Sequence, residues 1–176
     1  MNVLLHTCCA PCASHCALAL RDAGHEVTLF FSNANLAPEA EWQKRLESVY
    51  VLAKHDSIPV LVDETSHADW LASVAAGFEQ EPERGNRCER CFRYSLTRTH
   101  EAALEKRFDA FTTSLTVSPH KSSALIFQVG KIISPVLFLP IDFKKQEGFK
   151  NSIKRSEELG LYRQSYCGCE FSVRQT

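Results

Sequence analysis

The chain has 176 residues, a net charge of −1 at neutral pH and eight cysteines, fewer than a small disulfide scaffold would carry over this length. Its N-terminus lacks the basic segment and long apolar run of a signal peptide, and no stretch reaches the roughly 18 apolar residues that cross a bilayer. We therefore expect a single soluble, cytoplasmic domain over residues 1–176, in which clustered cysteines bind metal or carry out redox chemistry.

Short apolar runs alternate with amphipathic helical segments along the chain. The runs rich in β-branched and aromatic residues predict strands at Val3–Leu5, Val27–Phe31, Pro59–Val62, Phe111–Leu115 and Val136–Leu139. Helical periodicity and the positions of Pro and Gly predict helices at 11–23, 38–55, 68–76, 89–106, 121–133 and 142–159. This order predicts an α/β fold: a single-domain, Rossmann-like open parallel sheet with helices on both faces and a Cys-bearing irregular C-terminal tail.

Seven of the eight cysteines fall into three tight groups. They are Cys8, Cys9 and Cys12 after the first strand, Cys88 and Cys91 at the start of a helix, and Cys167 and Cys169 in the tail. Neighbouring thiolates can chelate one metal or cluster, and the N-terminus of a helix favours the thiolate form. The eighth cysteine, Cys16, lies one helical turn after Cys12, and we expect it to fill core space.

The spacing of these thiols leaves several chemistries open. Cys8 and Cys9 together with Cys88 and Cys91 supply four thiolates, enough for a tetrahedral zinc or a four-iron cluster, and the three remaining clustered thiols suggest a second metal or a redox-active thiol. Cys9-Ala10-Pro11-Cys12 is also a C-x-P-C element between a strand and a helix, as in thioredoxin-like dithiol oxidoreductases. A zinc-stabilised RNA-binding module without catalysis is the third interpretation.

Charge is distributed unevenly between the two parts of the chain. The first 117 residues carry 11 lysines and arginines against 16 acidic residues, whereas residues 118–176 carry 9 against 5. This asymmetry permits a basic face that meets a polyanion such as RNA, and a solvated helix surface of mixed charge is the alternative. Ser118-Pro119-His120-Lys121-Ser122 is expected to open a helix, as an anion site or as an ordinary N-cap.

Four blocks of the sequence, taken together, identify a family. They read LHTCCAPC at 5–12, RCERCF at 87–92, FTTSLTVSPHK at 111–121 and LYRQSYCGCEFS at 161–172. In this order the blocks resemble the QueH-type epoxyqueuosine reductases. The resemblance implies an iron–sulfur oxidoreductase that reductively removes the epoxide oxygen of epoxyqueuosine at the wobble position of tRNA. This reaction is the last step of queuosine biosynthesis and is carried out here without cobalamin.

The resemblance also implies two metal groups. A [4Fe-4S] cluster would be held by Cys8, Cys9, Cys88 and Cys91, and a mononuclear iron by Cys12, Cys167 and Cys169. The implied partners are tRNA bearing epoxyqueuosine and an external electron donor, with no membrane.

Opening an epoxide to an alkene consumes two electrons and two protons, and the oxygen leaves as water. A metal beside the cluster can act as a Lewis acid on the epoxide oxygen. The candidate proton donors are His6, His120 and Tyr166.

Overall fold

Four parallel strands form the centre of the fold. The structure is a computed structural model that describes residues 1–173. Its strands are β1 (Asn2–His6), β2 (Glu26–Phe31), β3 (Val60–Val62) and β4 (Ala110–Thr113). They pair in the order β3-β2-β1-β4. In the central strand β1, residues 3–6 are all buried, as expected of a parallel strand that is covered on both faces.

Six α-helices connect and cover the strands. They are α1 (Ala10–Asp22), α2 (Glu39–Asp56), α3 (His67–Trp70), α4 (Asn86–Glu105), α5 (Ser123–Ile133) and α6 (Gly148–Glu158). Helix α1 packs against α2 and α6 in one apolar core, and α4 packs against α5 and the sheet in another. The predicted parallel α/β fold with helices on both faces is confirmed. None of the helices within residues 1–173 combines the length and apolarity needed to span a bilayer.

The predicted fifth strand, Val136–Leu139, is wrong. This segment forms only one isolated bridge, in which Phe111 N–H donates to Leu137 O and Leu139 N–H donates to Phe111 O. The Leu139 carbonyl, which would continue the ladder, instead accepts from the Thr112 hydroxyl (2.8 Å) and from Ile141 N–H (3.0 Å), so the segment leaves the sheet after this contact. The prediction that residues 1–176 form one domain stays a prediction, because residues 174–176 lie outside the described part.

Most of the other boundaries differ from those predicted by one to three residues or more, and three of these differences have a local structural cause. Strand β4 ends at Thr113, because its hydroxyl oxygen accepts from Leu115 N–H (3.1 Å) and starts a 3₁₀ turn, Ser114–Val117. Helix α5 begins at Ser123, since the Ser122 side chain caps it by accepting from Leu125 N–H. Helix α6 begins at Gly148, six residues later than predicted. The two residues before it have the left-handed φ values +54° and +59°, which interrupt a helix.

Cys16 lies in the core, as predicted, with none of its surface exposed. We expect Cys16→Ala to leave metal content and turnover close to wild type and to lower the free energy of unfolding by about 1 kcal/mol, because it removes only a small buried group. Metal analysis and urea denaturation measure the two effects. Cys12→Ala, one turn earlier on the same helix, is the matched control and should lose metal. Loss of metal in Cys16→Ala would contradict the prediction.

Candidate metal centre and substrate cavity

The N-terminal cysteines follow β1 where its carboxyl end meets that of β4. After β1 the chain crosses over to β2 on one side of it, and β4 lies on its other side. The carboxyl ends of β1 and β4 therefore flank the point at which the strand order reverses, which is where open α/β sheets bind ligands. Cys8 N–H donates to Ser114 Oγ (3.2 Å), and the Ser114 hydroxyl in turn donates to Cys8 Sγ (3.4 Å). The residue that follows β4 therefore anchors the first cysteine.

The sulfur atoms of Cys8, Cys9 and Cys12 all lie within 4.8 Å of one another. Cys9 is the N-cap of α1, with Pro11 in the first turn, so the free N–H groups of this helix end favour thiolates at the group. The neighbouring Cys12 and Cys9 thiols hold the pKa of Cys8 well below its usual range. Three sulfurs at this separation can ligate one metal centre.

Cys88 and Cys91 are placed by the first turns of α4. Cys88 Sγ accepts a hydrogen bond from Arg84 N–H at 3.2 Å. Burial raises the pKa of both thiols, and the sulfurs of Cys167 and Cys169 raise them further. The tail cysteines thus lie close enough to this pair for their charges to interact.

Arg45, a fully buried residue of α2, holds the tail in place. Its guanidinium donates to the backbone carbonyls of Cys167 (2.9 Å) and Tyr166 (3.1 Å) and pairs with Glu41 (2.7 Å). Glu41 also accepts from the Tyr162 hydroxyl (2.8 Å), so both members of the buried ion pair make hydrogen bonds to the tail. The sequence contained no signal for this network, because a buried Arg–Glu pair at i and i+4 looks like an ordinary surface pair.

Gly168, between the two tail cysteines, lies close to the segment that contains Leu36 and Ala37. Its φ is +140°, and its carbonyl accepts from Ala37 N–H at 3.0 Å. An added Cβ would collide with the Leu36 side chain and would lie 3.2 Å from Asn35 Nδ2. Any side chain at this position would therefore displace the tail cysteines.

Arg87, a second buried arginine, holds the loop before α4. Its Nη1 donates to the carbonyls of Phe78 (3.0 Å), Glu79 (3.3 Å) and Glu81 (2.6 Å). The guanidinium carbon also lies 4.8 Å from the centre of the Phe171 ring in the tail. One side chain next to Cys88 therefore ties the loop that delivers this cysteine to the segment that follows Cys169.

A cavity of about 650 Å³ opens beside the sulfurs. Five of the seven clustered cysteines line it: Cys8, Cys9, Cys12, Cys91 and Cys167. Its polar lining includes Asn33 and Asn35 after β2 and the basic residues Arg84, Lys121 and Arg163. Pockets of this volume hold ligands of nucleoside size.

A second cavity of about 440 Å³, between α1 and α6, is lined by no cysteine.

Lys121 is a cation of the cavity that interacts with several of the sulfurs. Burial by itself would lower the pKa of this ammonium, but the sulfurs of Cys167, Cys8 and Cys12 raise it on balance. A permanent positive charge among thiolates partly offsets their mutual repulsion.

The three predicted proton donors all line the cavity but differ in their partners. His6 is buried, with Thr113 Oγ1 at 2.8 Å from Nδ1 and the Ser32 carbonyl at 3.1 Å from Nε2, and burial lowers its pKa. The Tyr166 hydroxyl donates to Ala37 O at 2.5 Å. His120 is exposed, and Arg84 donates to its Nδ1 at 3.3 Å, which leaves the ring proton on Nε2. Their roles as donors stay predictions.

Five of the seven predicted ligands line one cavity, and the partition of the seven between two metal groups stays a prediction. Thiolates are the ligands that iron–sulfur clusters prefer, so the donor set fits such a group. The Nε1–H of Trp70 adds a second observation, since it is buried beside Cys91 and makes no complete hydrogen bond within residues 1–173. A thiolate sulfur is a stronger acceptor for such a donor than a neutral thiol is.

Comparisons with known proteins give one family. Residues 3–175 match the family model described as epoxyqueuosine reductase QueH. An epoxyqueuosine reductase QueH from Streptococcus pyogenes is 35% identical over 98% of this chain and 71% of its own length. The protein of the same name from Thermotoga maritima is 37% identical over 98% of this chain and 90% of its own length.

Among solved structures, a predicted tRNA methyltransferase subunit from Methanocaldococcus jannaschii superposes with a TM-score of 0.56 at 12% identity. The superposition covers 86% of this chain and 74% of that one. At this identity the likeness shows a shared α/β fold alone.

Proposed function

The chain belongs to the epoxyqueuosine reductase QueH family of oxidoreductases, and on that premise we propose that it removes the epoxide oxygen of epoxyqueuosine in tRNA to give queuosine. The observation that carries the proposal is the cavity, because it brings five clustered cysteines from three separate segments to one nucleoside-sized space. The remaining two, Cys88 and Cys169, interact electrostatically with Cys91. A reductase needs this juxtaposition of redox centre and substrate.

We further propose that Cys8, Cys9, Cys88 and Cys91 hold a [4Fe-4S] cluster and that Cys12, Cys167 and Cys169 hold a mononuclear iron. When bound, these groups supply electrons one at a time and polarise the epoxide oxygen. The protein's own contribution is to orient the thiolates that would hold these groups. Ser114 and the Arg84 backbone donate to the sulfurs of Cys8 and Cys88, and such hydrogen bonds orient and tune ligands.

The cavity supplies features suited to a modified nucleoside in RNA. Arg84 and Arg163 are exposed, and we propose that they contact the phosphate backbone on either side of the base that enters. Asn33 and Asn35 present amide groups to the same space, and the Asn33 amide donates to Thr7 O at 2.8 Å. The substrate would be cytoplasmic tRNA, and the electrons would come from an external donor.

His120 is the proton donor that the geometry favours. Its Nε2 carries the proton and faces no protein acceptor among the described residues, whereas Tyr166 and His6 donate to carbonyls. We expect His120→Gln to lower turnover by about 100-fold, the usual contribution of one acid–base group, without loss of visible absorbance. Single-turnover assays on tRNA bearing epoxyqueuosine measure this. His55→Gln, an exposed histidine at the end of α2, is the control, and unchanged turnover in His120→Gln would exclude the role.

The proposed function is tested by anaerobic purification, analysis of iron, sulfide and zinc, and assay of tRNA bearing epoxyqueuosine. A brown protein that contains more than four irons per chain and forms queuosine supports the proposal. A colourless, metal-free protein would instead support the thioredoxin-like dithiol enzyme that uses Cys9 and Cys12. Stoichiometric zinc without reductase activity would support the zinc-stabilised RNA-binding module.

A further inference from the structure

Trp70 is the largest fully buried side chain of the protein, with 1% of its surface exposed. Its indole Nε1–H makes no complete hydrogen bond within residues 1–173. An indole nitrogen can only donate, and leaving a buried donor without an acceptor costs about 1–3 kcal/mol. A phenylalanine would fill most of the same space without a buried N–H, so the presence of tryptophan suggests that this N–H has a role.

The polar group beside this N–H is the sulfur of Cys91. Trp70 packs in a small apolar cluster with Cys169, and Cys91, Tyr94 and Phe171 pack against the same cluster. The Trp70 N–H lies close enough to the Cys91 sulfur to interact with it, although the two atoms do not meet the geometric criteria of a hydrogen bond. A neutral thiol is a weak acceptor, whereas a metal-bound thiolate is a strong one.

The structure holds Trp70 from three sides. The His67 ring stacks on the indole, with ring centres 5.5 Å apart and planes at 14°. The backbone that follows Trp70 forms a π-helical turn, Leu71–Ala75, a feature that is frequent at functional sites. Arg90, one residue before Cys91, donates to the Ser73 carbonyl (2.7 Å) and the Val74 carbonyl (3.0 Å) of this turn. The helix that carries Cys91 is therefore clamped to the element that carries the indole.

We propose that Trp70 is a positioning residue that donates its indole N–H to the Cys91 sulfur of the bound iron–sulfur cluster and raises the reduction potential of that cluster. Reduction adds negative charge to the cluster and its sulfurs, so a donor at a ligand sulfur stabilises the reduced state. Loss of the donor makes the cluster harder to reduce. This inference rests on the proposed function only for the assignment of Cys91 as a cluster ligand.

The test compares the cluster's midpoint potential in wild type, Trp70→Phe and Trp42→Phe. Phenylalanine keeps the aromatic ring and removes only the N–H. Trp42, the chain's other tryptophan, packs edge-on against Phe31 and does not line the cavity, so it is the matched control. We expect Trp70→Phe to retain its iron and sulfide and to shift the potential to more negative values, while Trp42→Phe matches wild type. An unchanged potential in a fully loaded Trp70→Phe protein would overturn the proposal.

A second measurement applies if Trp70→Phe assembles no cluster. In wild-type and Trp42→Phe proteins labelled at the indole nitrogen, the Trp70 N–H signal should shift strongly when reduction by one electron makes the cluster paramagnetic. An indole signal that does not respond would also overturn the proposal. The wild-type protein distinguishes failure of this inference from failure of the proposed function. If the wild type holds a cluster and forms queuosine, the proposed function stands and a negative result concerns Trp70 alone. If the wild type holds no cluster, both the proposed function and the role of Trp70 are excluded.

Discussion

Cys91→Ser is expected to yield a folded protein without the four-iron chromophore and without epoxide reduction. Cys91 is partly buried, packs against the cluster that contains Trp70 and lines the cavity together with Cys8 and Cys9. A serine hydroxyl is a hard, weakly acidic ligand, and its deprotonation in this buried place is still less favourable than that of the thiol. Cys88→Ser should behave in the same way. Visible absorbance, iron and sulfide content and turnover measure the effect.

The matched control for this change is Ser95→Ala. Ser95 lies one helical turn after Cys91 on α4, is buried and lines the same cavity, but it carries no sulfur. This variant should keep the full chromophore, since only a small hydroxyl is removed. Near-normal absorbance with full iron in Cys91→Ser would show that Cys91 is not a cluster ligand. A Ser95→Ala protein that also lost its iron would trace the loss to local packing of α4 instead.

The sheet and the grouping of cysteines could be predicted because their signals are local. Val3–Leu5 and Val27–Phe31 are continuous apolar runs, which is how parallel strands buried on both faces read. Cys8 and Cys9 follow the first of these runs directly, so the general rule for open sheets places them at the site. Family resemblance then supplied the chemistry, which no spacing of thiols determines.

The residues that hold the site could not be predicted, because their partners are distant in sequence. Arg45 lies 122 residues before Cys167, whose carbonyl it binds. Helical periodicity assigns apolar residues to the buried face of a helix, yet in α2 Tyr50 is 49% exposed, whereas the charged residues Glu41 and Arg45 are buried. Predictions from helical periodicity assign polar residues to the surface. They therefore fail for a helix that buries a charge pair, as α2 does.

The end of the sheet was mispredicted for a related reason. A fifth strand at Val136–Leu139 satisfies β-propensity, and Phe138 does pack on Phe111 at a ring-centre distance of 5.4 Å. High β-propensity means that such side chains suit a half-buried sheet surface. It does not tell whether the backbone can form consecutive hydrogen bonds with a neighbouring strand. The ladder ends after a single bridge because the Leu139 carbonyl accepts from the Thr112 hydroxyl and from Ile141 N–H and not from a backbone N–H of β4.

Cys167→Ala is the change that separates the two metal roles. The tail reaches the cavity through backbone contacts that do not involve the Cys167 sulfur, chiefly the hydrogen bonds from Arg45 to the carbonyls of Tyr166 and Cys167. The variant should therefore keep the fold of the tail and lose only one ligand. If Cys167 holds the mononuclear iron, we expect the four-iron chromophore to persist with about one iron fewer per chain.

Loss of that iron should reduce epoxide reduction to background, because the departing oxygen would lose its Lewis acid. Iron analysis, visible spectra and assay of tRNA bearing epoxyqueuosine measure the three effects on one preparation. Ser165→Ala is the control, since Ser165 is an exposed residue of the same tail that lines the same cavity and has no thiol. Loss of the whole chromophore in Cys167→Ala would instead make the tail a source of cluster ligands, consistent with the interaction of its sulfurs with Cys88 and Cys91. Full activity in Cys167→Ala would mean that this cysteine holds no metal that the reaction requires.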